Sequence, residues 1–437
     1  MIWWQLLILI LLSLFALMLM RIPVAFAFFS VNIVVSIYLW GGEKGIKQIV
    51  ISMFDSLTTF SIAPIPLFIL MGEIMFVTRI APKIIETLDL WLGKIPGRLS
   101  LLSVSGGTVL STLSGSSVAC IAMLGSSLVP NMEQRGYKKP MTLGPIMASG
   151  TLAAMIPPSA IGVLLASIAQ ISVGSFLIAI ILPGISLALL FAVYIFVRVK
   201  LQPELAPAYD STAVPLSEKV KATVKYVLPL GLIIFLVIGL IFLGLATPTE
   251  AAAMGVVGTI FLAFLFREMN WERLKESLIG TVKVTTMIFI VIAGSSTFSQ
   301  ILSFSGITRE LVNTVSGLPF SAITILVIML VISIFMGTFM DGLSILMITL
   351  PIFIPIATLF DFNLLWFAVL ILITIEIGQI SPPFGLGLFT MKGVAPPDTT
   401  MRDVYGAAIP FIGLSILLIV IIILVPGIAT WLPSIIR

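Results

Sequence analysis

The chain is 437 residues long, 59% of them hydrophobic and only 10% charged, where soluble domains carry about 25% charge. So much apolar surface cannot be buried in a water-soluble body of this size, and the composition marks a polytopic membrane protein. No His is present, and Cys120 is the single cysteine. That excludes histidine-based acid–base chemistry, Ser-His-Asp triads, internal disulfides and transition-metal centres of the usual kind. No nucleotide-binding GxxxxGK[ST] loop occurs. The net charge of +4 is accounted for by topology and gives no reason to expect nucleic acid.

Residues 2–20 are apolar, and Val24-Ala25-Phe26-Ala27 offers a cleavage-like site. Yet no basic residue precedes the run, so it is read as a retained first span rather than a signal peptide. At ~20 apolar residues per crossing, further spans fall near 23–40, 62–78, 141–170, 175–197, 226–245, 248–266, 284–303, 363–391 and 405–431. Two of these carry central Pro-Pro pairs, Pro157-Pro158 and Pro382-Pro383. Proline removes an amide hydrogen bond, so both spans are predicted to break where the freed backbone lines a cavity.

Stretches 98–130 and 319–359 are apolar but interrupted by STLSGSS (111–117) and GTFMDG (337–342). Small and polar residues in mid-segment predict re-entrant helical hairpins; the competing reading is two closely spaced full spans. With ten crossings, two hairpins and an external N-terminus, 19 of the 23 basic residues fall inside, as the positive-inside rule requires. Lys44, Lys47, Arg309 and Arg437 remain outside, and the C-terminus is external too.

Sliding the sequence by 225 residues pairs Pro23 with Pro248, Pro130 with Pro355, Pro157 with Pro382 and Pro158 with Pro383. The expected organisation is therefore a first repeat over 1–198, a cytoplasmic linker over 199–225 and a second repeat over 226–437. Five crossings precede the linker, so the second repeat is inverted. Inverted repeats with broken helices point to a secondary transporter, in which half-helix ends hold ions and substrate. Ionisable groups at membrane depth are functional candidates. Asp341 and Glu376 are best placed, each with a structural role as the competing reading. Glu73 and Glu250 also lie within or beside spans, and Asp55 is read as interfacial.

The motifs APIPLFILMGEIM (63–75), LSGSSVACIAMLG (113–125), MIPPS (155–159), GTFMD (337–341) and EIGQISPPFG (376–385) resemble, in order and over the whole chain, the large DctM-like membrane subunit of tripartite ATP-independent periplasmic (TRAP) transporters. The resemblance implies an all-α, elevator-type, sodium-driven importer of organic acids in the bacterial inner membrane. It implies two partners: a periplasmic substrate-binding protein and a small four-span membrane subunit. Sodium would be the coupling ion, with no organic cofactor. One sodium site of the family matches Ser111, Ser114, Ala153, Ile156 and Pro157; the family commonly has Gly at Ala153, which leaves a carbonyl ligand intact. A second matches Gly337, Gly378, Ser381 and Phe384, with Thr commoner at Ser381. Ser117, Asp341, Glu376 and Glu73 are the candidates for substrate contact or coupling. Gly115, Ser116, Gly125 and Gly150 are read as packing residues. A stand-alone sodium–carboxylate symporter is the alternative. An intramembrane serine hydrolase would need a Ser-Lys pair, and no Lys lies at mid-membrane depth.

Overall fold

The computed structural model describes residues 2–78, 80–93, 95–114, 116–207 and 214–435, with backbone alone for residues 81 and 111–114. The described residues are helical, without strands. The chain opens with α1 (Trp3–Leu19), α2 (Val24–Ser36) and α3 (Gly42–Leu57), the last two joined by a π-helical turn, then α4 (Pro64–Val77) and α5 (Ile80–Leu92). Next come α6 (Arg98–Ser114), α7 (Ser117–Gln134), α8 (Lys139–Thr151) and α9 (Ala160–Ile168), followed by α10 (Val173–Ala179) and α11 (Ile181–Leu201). A short α12 (Leu216–Ala222) leads to α13 (Leu228–Phe242), α14 (Pro248–Leu265), α15 (Trp271–Phe304) and α16 (Ile307–Ser316). The chain closes with α17 (Ala322–Gly337), α18 (Gly342–Leu359), α19 (Leu364–Gln379), α20 (Leu386–Val394), α21 (Met401–Leu424) and α22 (Gly427–Ile435).

Both interrupted stretches form helical hairpins. Helix α6 ends at Ser114, α7 begins at Ser117, and the two pack together; α17 and α18 do the same around residues 338–341. Both Pro-Pro spans are broken. Residues 152–159 separate α8 from α9 and residues 380–385 separate α19 from α20, with the Pro-Pro bond cis in each break. The paired prolines also take like positions. Pro23 directly precedes α2 and Pro248 opens α14, while Pro130 lies within α7 and Pro355 within α18. At the start of α14, Glu250 and Thr247 form a reciprocal cap, which satisfies amides the helix itself cannot.

By length and apolarity, eight helices of the described residues are long enough to cross a membrane, among them Gly342–Leu359, the second arm of the second interrupted stretch. The helix bounds depart from the expected spans in two places. Helix α15 begins at Trp271, well before the expected 284, because its charged first turns carry no hydropathy signal. The expected span 405–431 is two helices, interrupted at Val425-Pro426.

Close backbone approach holds the hairpins and broken helices together. A Cβ on Gly378 would lie 2.5 Å from Cα of Gly337, so α17 and α19 touch backbone to backbone. A Cβ on Gly150 would meet Ile121 at 2.4 Å and one on Gly125 would meet Val394 at 2.5 Å. Gly125 and Gly150 are thus packing residues, joining α7 to α20 and to α8; Gly115 lies outside the described residues. Helices α2, α3, α4, α13, α14 and α15 pack among themselves alongside this assembly.

Candidate functional site

The hairpin tips and helix breaks meet at one cavity of about 450 Å³. Ser116 to Ala119 of the first tip, Asp341 to Leu343 of the second, Pro158, Ala160 and Ile161 at the first break and Gln379 and Leu386 flanking the second all line it. Helices α4 and α15 close the remaining wall with Phe68, Glu73, Phe76 and Met287. Four helices, α7, α9, α18 and α20, therefore begin at this cavity. The first amides of a helix lack intrahelical partners, and its dipole places partial positive charge there. Among the described residues no Lys or Arg lines the cavity, so these N-termini are its main electropositive feature.

Side chains define three of the four helix starts. Ser116 accepts from the Ala119 amide at 3.3 Å, Ser159 from Gly162 at 3.0 Å, and Asp341 from Ser344 at 3.0 Å. Asp341 also accepts from the Ser344 hydroxyl. Ser116 is thus a capping residue on the cavity wall rather than the packing residue the sequence suggests. Its neighbours Gly115 and Ser117 obscure the signal, because any hydroxyl in a run of small residues can cap.

Cation ligands would come from the opposite helix ends. Ala153, Ile156 and Pro157 sit just beyond the C-terminus of α8, Gly337 ends α17, and Gly378 and Ser381 bracket the end of α19. Among the described residues, no hydrogen bond reaches the carbonyl oxygens of Ala153, Ile156, Pro157, Gly337 or Phe384. Such carbonyls at helix C-termini are suited to hard cations. The side chains of Ser111 and Ser114 lie outside the described residues; their backbone is the last turn of α6. Gly337, Gly378 and Ser381 come together, whereas the Phe384 ring is exposed and stacks beside Phe389. The Ser381 hydroxyl donates to the Ile377 carbonyl at 2.8 Å, which leaves its oxygen lone pairs able to accept. Tyr405 of α21 donates to the Pro383 carbonyl at 2.8 Å and so fixes the second break from behind.

The four substrate or coupling candidates gather at the same place. Ser117, Asp341 and Glu73 line the cavity, and Glu376 is buried behind Ser117, whose hydroxyl donates to it at 2.6 Å. Glu73 lies against α15, where a Cβ on Gly280 would meet its carboxylate at 2.8 Å. Gln379 lies within the EIGQISPPFG motif but receives no role from the sequence reading; among the described residues it is buried on the cavity wall with an amide oxygen that has no hydrogen-bond partner. Away from the cavity, Lys139 joins Glu133 at 3.2 Å, Asp398 at 2.9 Å and Thr399 at 2.6 Å. The hydrogen bond from Lys139 holds the Asp398 carboxyl below its ordinary range. Glu268 is likewise lowered, by hydrogen bonds from Lys83 and Arg273.

Comparisons with known proteins agree with this architecture. The sequence profile described as "Tripartite ATP-independent periplasmic transporter, DctM component" matches residues 11–428. The C4-dicarboxylate TRAP transporter large permease protein DctM of Pseudomonas aeruginosa is 30% identical over 394 residues, which cover 89% of this chain and 90% of that protein. The isethionate TRAP transporter permease protein DctMQ of Oleidesulfovibrio alaskensis is 27% identical over 93% of this chain and 65% of its own length. Among solved structures, the YdaH transporter of Alcanivorax borkumensis superposes with a TM-score of 0.61 at 15% identity, over 90% of this chain and 89% of that one. At that identity the likeness concerns the fold. A match over nearly the whole chain, together with a multi-pass helical fold, places this protein in the DctM family of TRAP transporter large permeases.

Proposed function

We propose that the chain is a sodium-coupled importer of a small organic acid. The observation that carries this reading is the convergence of four helix N-termini on one cavity, with free carbonyls at the adjoining helix C-termini. The N-termini suit a carboxylate, and the carbonyl ends suit a small cation. Sodium would sit at Ser111, Ser114, Ala153, Ile156 and Pro157, and at Gly337, Gly378, Ser381 and Phe384. With no basic side chain on the cavity wall among the described residues, bound sodium and the helix dipoles together neutralise the substrate. The names of the relatives support an anionic substrate: one is a C4-dicarboxylate permease and another an isethionate permease.

In this reading both hairpins are re-entrant, and the two repeats, 1–198 and 226–437, are inverted about the linker. The hairpins and broken helices travel as one body against α2, α3 and α13–α15 in an elevator motion. Substrate arrives from a periplasmic binding protein, and a small membrane subunit completes the permease. The description of the family as tripartite supports both partners. So does the name DctMQ for a relative that extends well beyond the matched region. The chain sits in the bacterial inner membrane with both termini periplasmic.

The test is uptake of candidate organic acids into proteoliposomes under an imposed sodium gradient. Uptake is expected only when the small subunit and loaded binding protein accompany the chain. Robust uptake by the chain alone would favour a stand-alone symporter. Equal uptake with a potassium gradient would overturn sodium coupling.

A further inference from the structure

Glu376 is 1% exposed on α19, and among the described residues its only hydrogen-bond partner is the hydroxyl of Ser117; its other oxygen has none. No basic residue pairs with it among the described ion pairs. Burying an acid so poorly satisfied is unfavourable, and simple helix packing would be served by Leu or Ala. The bond it does make spans 259 residues of sequence, from the second broken helix to the first hairpin tip. Ser117 is the first residue of α7, so the bond fixes the helix end whose first residues line the cavity. From the other side, Gly150 of α8 confines the same residue: a Cβ there would lie 3.0 Å from the Ser117 carbonyl. Glu376 itself lies in the last turn of α19, two residues before Gly378 and five before Ser381.

We propose that the Ser117–Glu376 hydrogen bond is the tie through which cation occupancy of the second break orders the substrate-facing end of α7, with Glu376 as a positioning residue. This rests on the sodium reading of the second break. A cation held at Gly378 and Ser381 immobilises the end of α19. Glu376, on the same rigid turn, then holds Ser117, and the α7 N-terminus is set for the substrate anion. Without the cation, the end of α19 is free to shift and carries the tip with it.

Hydrogen–deuterium exchange on the purified chain in nanodiscs tests this as a double-mutant cycle. The readout is the sodium concentration that half-protects residues 116–122, with residues 380–388 followed in parallel. Ser381→Ala should raise that concentration at the tip by roughly fivefold or more, the low end of coupling between linked sites. In a Ser117→Ala background, Ser381→Ala should have no further effect on the tip while still weakening protection of the break. Glu376→Gln keeps an acceptor for Ser117 and should retain the Ser381→Ala effect at the tip; Glu376→Leu should lose it. Additive effects of Ser381→Ala and Ser117→Ala at the tip would overturn the tie alone. If Ser381→Ala leaves sodium protection of its own break unchanged, the sodium reading beneath it fails instead.

Discussion

The Ser381 hydroxyl donates to Ile377 and keeps its lone pairs, so it can serve as a cation ligand without giving up its own bond. Removing that oxygen leaves a buried ion one ligand short. A lost bond to a charge costs roughly 1.5–3 kcal/mol, about 10- to 150-fold in affinity. Ser381→Ala, and equally Ser114→Ala, should raise the sodium concentration for half-maximal uptake by at least about tenfold within that range. Ser116→Ala should act differently, because Ser116 caps α7 at the cavity. Losing an N-cap costs about 1 kcal/mol, so its substrate concentration for half-maximal uptake should rise roughly fivefold while sodium dependence stays near wild type. Should Ser116→Ala shift sodium dependence while the other two do not, the register of the first tip is wrong. At this scale the sequence was uneven. Asp341 and Glu376 stood out because charge is rare in apolar helices, but Ser116 is one of several neighbouring hydroxyls that could cap α7, and the place of Gln379 depends on contacts between distant segments.

Among the elements, proline decided most of what could be read in advance. Pro157-Pro158 and Pro382-Pro383 lack the amides a helix needs, and both breaks occur where expected. Helices α3, α5 and α16 were not anticipated as elements, because none offers the long apolar run that marks a crossing. The α17–α19 contact is likewise invisible in sequence, since a glycine does not name its neighbour. Gly378→Ala tests it: the new methyl would stand 2.5 Å from Gly337 Cα. Overpacking of this kind costs about 1–3 kcal/mol, so a clear drop in melting temperature is expected. An unchanged melting temperature would show that the two helices can separate freely. Lys139 fastens the end of α7 and the start of α8 to the loop before α21 through Glu133 and Asp398. Because Asp398 is lowered on folding, its contribution is present above the ordinary carboxylate range and lost as pH falls through its lowered value. Lys139→Met should therefore lower the melting temperature slightly at neutral pH, and the difference should shrink in acid. A difference that persists in strong acid would mean packing, not charge, holds this junction.

For the whole molecule, the proposed inverted arrangement makes a topological prediction. In a Cys120→Ser background, cysteines placed at Lys138 and Lys221 should react only with cytoplasmic reagent, and one at Arg309 only from the periplasm. Periplasmic labelling at Lys138 would reverse the entry side of the first hairpin and remove the inversion. The basic-residue asymmetry is the sequence signal behind this proposed layout, whereas the cavity has no such signal: its walls come from both halves of the chain, and only their packing brings them together. In the proposed function, helix ends alone build an anion site beside cation sites. The most direct measurement is a high-resolution structure of the assembled transporter in sodium, with its organic acid bound. A carboxylate is expected against the N-termini of α7 and α18, with cation density at the carbonyls of residues 153–157 and of Gly337 and Gly378. A substrate bound outside this cavity, or one held there with no cation at either break, would contradict the proposed function.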